Sequence, residues 1–182
     1  MAKLVNKTYG DALFQVALEN NKTDEYYEEV KVLYEALLHN EDMFKFLNHP
    51  KISKDEKIKV VENVFKGRVA DDITGFLVLM LKKDRQEMIK ETLDYFIDKV
   101  KEYKKIGTAY VTTAISLDDK QKKEIESRLK DTTEYVEFEM NYIVDKDIIG
   151  GMIIRIGDRV VDSSIKTKIY NISKELYDIQ LA

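Results

Sequence analysis

The residues whose types and spacing most invite chemistry are Gly150-Gly151 and, four positions on, Arg155. A glycine pair ahead of an arginine could hold a phosphate between backbone N–H groups and a guanidinium. A phosphate loop, however, needs G-x-G-x-x-G or an ending in Gly-Lys-Ser/Thr, and neither is present. Asp145 and Asp147 flank Lys146 and suggest a calcium loop, but the EF-hand spacing and its closing Glu are missing. The chain has no Cys and two His, His39 and His49, so thiolate chemistry is absent and a His triad or His metal site is poorly supplied. The acidic residues are scattered along helical faces among lysines, as in Glu28-Glu29 near Lys31 and Asp94-Asp98 near Lys99. The expectation is therefore no catalytic residue, no metal and no cofactor. A phosphate- or nucleotide-binding enzyme using the Gly-Gly hairpin and Arg155 stays open as the alternative.

The elements that position these residues follow from local pattern. Gly157-Asp158 lies between the apolar runs Met152 to Ile156 and Arg159 to Val161, which predicts a two-residue hairpin loop with Gly first, as in a type II′ turn. Gly150-Gly151 predicts a bend, a bulge or a close backbone approach. Asp162, Ser163 and Ser164 offer N-cap oxygens to a following helix, whose apolar positions are Ile165, Ile169, Ile172, Leu176 and Ile179. Upstream, Tyr135 to Ile143 alternates, with Val136, Phe138, Met140 and Tyr142 on one face. Thr108 to Ser116 predicts a further strand. Asp118 with Gln121 predicts a capping box opening a helix to Lys130.

The first half has helical period. Leu4 to Glu19 carries one stripe of Tyr9, Ala12, Leu13, Val16 and Ala17 and a second of Phe14 and Leu18. Thr23 or Asp24 is expected to cap a helix to His39, with Val30, Leu33, Leu37 and Leu38 inward. Glu41 to Leu47 follows, and then the lone Pro50. Ser53 and Glu56 predict a capping box for a helix carrying Ile58, Val61, Val64 and Phe65 and stopping at Gly67. Asp71 or Asp72 opens a fifth helix that is apolar almost all round: Ile73, Phe76, Leu77, Val78, Leu79, Met80 and Leu81. Arg85 to Lys105 is the sixth, with Met88, Ile89, Leu93, Phe96, Ile97, Val100 and Tyr103. The period changes at Lys105-Ile106-Gly107. The fold class expected is α+β: a six-helix bundle over residues 1–105, then a small α/β sheet domain over 106–182.

The totals exclude several functions. With 182 residues and a net charge of −4, neither half is basic: residues 1–105 carry 19 basic and 20 acidic residues and the rest 11 and 14. A nucleic-acid partner is disfavoured. The longest uncharged apolar run, Gly75 to Leu81, is far short of the roughly 20 residues that span a bilayer. Lys7 and Asp11 interrupt any signal-like apolar core, so a cytoplasmic protein without membrane insertion is expected. What stands out is the apolar excess on the first and fifth helices. It has two readings, burial in a core or a groove that accepts an amphipathic helix.

The stretch Asp145 to Gly157, with its acidic start, aliphatic pair, Gly150-Gly151 and alternating aliphatics around Arg155, resembles the C-terminal signature of the delta subunit of the bacterial F-type ATP synthase, the oligomycin-sensitivity-conferring protein family. Asp158 to Ile165, including Asp162, continues it. Tyr9-Gly10-Asp11-Ala12-Leu13-Phe14 is similar to the family's start, and Phe76 to Leu81, then Arg85 and Phe96, to its leucine-rich helix, turn and long helix. Lys83 stands where the family often has Asn, and Ser163 where Gly is common. The resemblance covers essentially the whole chain. It implies a non-catalytic stator subunit in the peripheral stalk, at the cytoplasmic face of the bacterial plasma membrane, that couples proton transport to ATP synthesis. It also implies an N-terminal domain that binds the N-terminal helix of an alpha subunit between its first and fifth helices, and a C-terminal domain that meets the b subunits. By position, the groove residues expected are Tyr9, Ala12, Leu13 and Val16, with Ile73, Phe76, Leu77 and Met80.

Overall fold

In the computed structural model, residues 2–180 are described, with side chains from Leu4 to Lys174 and at Leu176. The chain divides into two compact units, Met1–Lys101 and Glu102–Ala182. The architecture is α+β, helices followed by a mixed sheet with helices of its own.

In the first unit the helices are α1 (Ala2–Glu19), α2 (Thr23–His39), α3 (Glu41–Asn48), α4 (Lys54–Phe65), α5 (Asp71–Lys82) and α6 (Ile89–Lys104), with a 3₁₀ turn at Gln86–Met88 leading into α6. Caps decide several of these boundaries. Ser53 and Glu56 form the expected capping box at α4, which satisfies two orphan N–H donors at once. Asn40 accepts from the Met43 N–H and starts α3. The cap expected at Thr23 or Asp24 is not made: Lys22 holds the N-cap position and gives no side-chain bond. Three of these connections turn on non-glycine residues with positive φ, Asn21, Asp84 and Lys105. The sixth helix, expected to end at Lys105, stops at Lys104, and the left-handed turn falls on Lys105. Gly107 instead joins the next strand.

One core fills this unit. Leu13 and Ala17 of α1, Val30, Leu33 and Leu37 of α2, Val61 of α4, Ile73, Leu77 and Met80 of α5, and Leu93, Phe96 and Val100 of α6 are buried together. Three expected core positions face solvent instead: Leu38, Val64 and Tyr103. Each lies at the border of its helix's stripe, where half a turn separates core from water.

The second unit runs β1 (Ile106–Thr113), α7 (Asp119–Thr132), β2 (Glu137–Val144), β3 (Met152–Ile156), β4 (Arg159–Asp162) and α8 (Ile165–Gln180). The order across the sheet is β2-β1-β3-β4. β1 and β2 are parallel, which requires the α7 crossover. β3 and β4 are antiparallel neighbours joined at Gly157-Asp158. Positive φ falls at Gly157 and not at Asp158, as a type II′ loop requires. Asp118 and Gln121 complete the capping box of α7. Register puts Phe138, Met140 and Tyr142 on the same face as Ala109, Val111 and Ile154. Phe138, Ala109 and Leu129 of α7 are buried there, with Ile125, Met140, Ile154 and Ile156 packed against them. Val136, expected on this inner face, precedes β2 and is exposed.

Gly151 is where the sheet and α8 meet. Its φ is +75°, and a Cβ there would lie 2.5 Å from the Ser163 carbonyl oxygen. Gly157 also has positive φ, +55°, but open space around it. Gly151→Ala is therefore expected to cost about 1–3 kcal/mol from strain and a backbone collision, and Gly157→Ala about 1 kcal/mol from φ alone. Urea unfolding of both variants checks the order.

Candidate functional site: two uncovered helix faces

α1 and α5 lie side by side and antiparallel. At one end the Asn20 amide donates to Asp72 Oδ2 at 3.0 Å, beside a hydrogen bond from the Tyr26 hydroxyl to the same oxygen. At the other end the Arg85 guanidinium sits 5.0 Å from the centre of the Tyr9 ring. Burial raises the Tyr26 phenol above its ordinary pKa, reinforced by the Asp72 carboxylate. On its far side α1 is fixed to α6: a Cβ at Gly10 would collide with the Tyr95 ring, and the Tyr95 hydroxyl donates to Asp11 at 2.9 Å.

Of the eight residues expected to line a groove between α1 and α5, five are buried in the closed unit: Leu13, Ile73, Phe76, Leu77 and Met80. They belong to the core face. Tyr9 and Val16 are half-buried at its edge and Ala12 is exposed. The reason is geometric. α5 is apolar almost all round, and its fully inward positions, Ile73, Leu77 and Met80, recur every three or four residues. Its outer stripe is Asp72, Gly75, Leu79 and Lys83, also at that spacing. Leu79 is 42% exposed, and a Cβ at Gly75 would meet nothing within 4 Å. Reading residues by hydrophobicity alone passes over Gly75 as an outer position. The signal that places it outside is the charged residue at each end of its stripe, Asp72 one turn before and Lys83 two turns after, which marks the stripe as the solvent face.

The second uncovered face is on α8. Ile165, Ile169, Ile172 and Leu176 recur at helical spacing and are 42–59% exposed. The side chain of Ile179 lies outside the described residues. Val160 and Val161 of β4 are exposed as well. A separate cleft of about 400 Å³ lies between α7 and β3, lined by Leu117, Ile125, Leu129, Met152 and Ile154 among others. The start of α8 is held firmly. Asp162 accepts from the Ser164 N–H at 2.8 Å and from the Thr167 hydroxyl at 2.7 Å, and Ser164 Oγ accepts from the Thr167 N–H at 3.2 Å. The Ser164 N–H bond above all holds the Asp162 carboxyl below its usual pKa.

The glycine pair does not form a phosphate cradle. The space beside Gly151 is filled by the Ser163 carbonyl and that beside Gly150 by the Ile165 side chain. Arg155 lies over the Tyr110 ring at 4.6 Å. Asp145 is used to start a 3₁₀ turn, accepting from the Asp147 N–H at 2.9 Å. Gly150, Gly151, Arg155, Gly157 and Asp162 together set the path from β3 through the hairpin into α8.

Exposed apolar positions along α8 and at Leu79 of α5 are the kind of surface that marks contact between proteins. Comparison with known proteins identifies the family. The family model described as "ATP synthase delta (OSCP) subunit" matches residues 5–176. The chain is 56% identical over 181 residues to ATP synthase subunit delta of Lachnoclostridium phytofermentans, covering all of both chains. It is 31% identical over 174 residues to the same subunit of Acetivibrio thermocellus, covering 96% of this chain and 98% of that one. Its fold matches a chain in the cryo-EM structure of the Toxoplasma gondii mitochondrial ATP synthase hexamer, with a TM-score of 0.69 at 18% identity, over 94% of this chain and 97% of the other. The chain belongs to the ATP synthase delta (OSCP) subunit family. It is a non-catalytic subunit of the F-type ATP synthase and a stator component of its peripheral stalk. It is peripheral to the membrane as part of that complex, and no described helix is long and apolar enough to cross a membrane.

Two measurements separate core from face. Leu13→Asp, Phe76→Asp and Met80→Asp each place an unpaired charge in the core, at a cost of several kcal/mol, and should abolish the cooperative thermal transition of the helical unit. Ala12→Asp and Leu79→Asp should fold with midpoints near the parent's. The α8 cap predicts a pH effect. A lowered folded-state pKa at Asp162 gives stability that is complete above the ordinary carboxylate range and lost as pH falls through the folded value. Protection factors in the first turn of α8, exchange measured relative to the intrinsic rate at each pH, should therefore fall as pH drops below about 4, and Asp162→Asn should flatten that dependence.

Proposed function

We propose that the chain links the catalytic head of the synthase to its peripheral stalk by gripping one helix with each unit. The observation that carries this is the pair of uncovered apolar faces, one along α1 and α5 and one along α8. The first unit, α1 to α6 closing as a six-helix bundle, sits on the head and holds the N-terminal helix of an alpha subunit. The second unit meets the b subunits. The complex works at the cytoplasmic face of the bacterial plasma membrane. Holding head and stalk together stops the head from turning with the rotor, so that proton flow drives ATP synthesis.

The groove in this reading is wider than the sequence alone suggests. Tyr9, Ala12 and Val16 form its α1 wall, and Gly75 and Leu79 its α5 wall. Phe76, Leu13, Ile73, Leu77 and Met80 support it from beneath. Gly75 has no side chain to hold a partner off, which lets a helix backbone approach closely. A helix seated there would present anchors at i, i+3, i+4 and i+7. On the second unit, the four-residue spacing from Ile165 to Ile169 and again from Ile172 to Leu176 matches a helix-on-helix seam.

The test uses purified alpha and b subunits with the full chain. Leu79→Asp, on a correctly folded chain, should weaken alpha-subunit binding by tenfold or more, since a charge in a dry interface costs on the order of 2 kcal/mol, and leave b binding intact. Ile172→Asp should do the reverse. If both variants bind both partners like the parent, the two faces are not the docking sites. The boundary is tested separately: residues 1–101 expressed alone should unfold cooperatively by circular dichroism, and loss of helicity in that fragment would contradict two independently folding units.

A further inference from the structure

The α1–α5 face is not uniformly apolar. Its two ends carry opposite charge. Where α1 finishes and α5 begins, Glu19, Asp71 and Asp72 are exposed. Two cations lie near: Lys22 is engaged by Glu25 at 3.1 Å, and Arg68 is exposed three residues before Asp71, so this end remains net acidic. At the other end stand Lys82, Lys83 and Arg85. Of the acids beside them, Asp84 is taken by Lys54 and Glu87 is exposed two residues beyond Arg85, so this end remains net basic. Arg85 itself rests on the Tyr9 ring, and among the described residues no carboxylate pairs with it. Between the ends lie Ala12, Val16, Gly75 and Leu79, none of them charged. Asp72 in the first turn of α5 and Lys83 just past its end are eleven residues apart, about 16 Å at 1.5 Å per residue, or three turns of a helix laid alongside.

The geometry points to a face that sets the direction of its partner helix by charge. It takes an amphipathic helix with carboxylates at one end of its apolar stripe, against Lys83 and Arg85, and ammonium groups about three turns away, against Glu19 and Asp72. The inference rests on the proposed α1–α5 docking site and adds its orientation rule. The physical basis is that apolar burial alone is indifferent to direction: a helix reversed end for end still presents i, i+4 anchors. Opposite charges at the two ends remove that degeneracy, because the wrong direction sets like charges together. Arg85 is suited to the role because the Tyr9 ring holds its guanidinium plane, leaving its N–H donors to a carboxylate.

The probe is a synthetic 20-residue amphipathic peptide with a leucine stripe, three glutamates in its first two turns, three lysines in its last two and a nitroxide at the glutamate end. Amide spectra of the full chain are recorded with it. The expected result is strong paramagnetic broadening at Tyr9, Lys83 and Arg85 and little at Glu19, Asn20 and Asp72. Arg85→Gln and Lys83→Gln should each weaken binding about threefold to fivefold, the size of one partly exposed ion pair, and added salt should erase the difference. A control peptide of the same composition with its charges interleaved should bind both variants and the parent alike. Equal broadening at the two ends, or no effect of either variant, overturns the orientation rule while leaving the docking site standing. Absence of broadening anywhere on α1 and α5 overturns the site itself.

Discussion

α5 sets the terms for the helical unit. It is a twelve-residue helix whose inner face, Ile73, Leu77, Met80 and Leu81, is almost wholly removed from water. Each such side chain contributes roughly 1.5–3 kcal/mol on burial, so this one face accounts for a large share of a marginal total. A helix cannot bury every side at the rim of a small bundle. With apolar residues nearly all round, something must be left over, and it is Leu79. The same surplus that secures the core thus creates the surface. α1 repeats the arrangement, with Leu13 and Ala17 inside and Ala12 outside, and the Asn20–Asp72 and Tyr9–Arg85 contacts pin the two helices at both ends.

The second unit solves a different problem with less material. Its fully closed core is small, Ala109, Leu129 and Phe138 with a partly buried border. Backbone geometry compensates for the thin packing. Gly107 lets the Phe138 ring lie against the β1 backbone, and Gly151 lets the chain pass within van der Waals range of the Ser163 carbonyl. Asp162 and Ser164 then gather the free N–H groups at the head of α8. These polar and glycine contacts hold the beginning of α8, so that its apolar stripe needs no partner within the unit to be a helix.

Much of this was legible beforehand because it depends on short-range chemistry. The two capping boxes, Ser53 with Glu56 and Asp118 with Gln121, and the Gly157-Asp158 loop each involve residues no more than three positions apart, and each is found as expected. Of the bend, bulge or close approach expected at Gly150-Gly151, the fold shows a close approach at Gly151, with the Ser163 carbonyl as what comes near. What was not legible depends on which side of a helix meets which neighbour. Hydrophobicity ranks Phe76 and Met80 above Gly75, and only the fold shows that the glycine is exposed while the two larger residues are buried. Leu38, Val64 and Val136, expected inward, are exposed because a pattern gives the period of an element, but its phase against the rest of the fold comes from long-range packing. At the domain boundary the left-handed turn falls on Lys105, while Gly107 two residues on lies in β1.

A stator must resist a sustained torque, yet neither face here is large. A single amphipathic helix on a groove buries less than a standard interface of ~1,600 Å². Its grip rests on a few anchors. Two such grips on one chain behave differently. Once one helix is held, the second is presented at an effective concentration set by the chain itself, and losing the connection requires both to open within the same interval. Under the proposed arrangement, strength therefore comes from linkage rather than area. That places a demand on each unit: it must keep its own fold when its partner is pulled. Closing the core behind the binding face, as α5 does with Leu79 outside and Ile73, Leu77 and Met80 inside, meets that demand, because force on the outer stripe is borne by a helix already fully packed from behind.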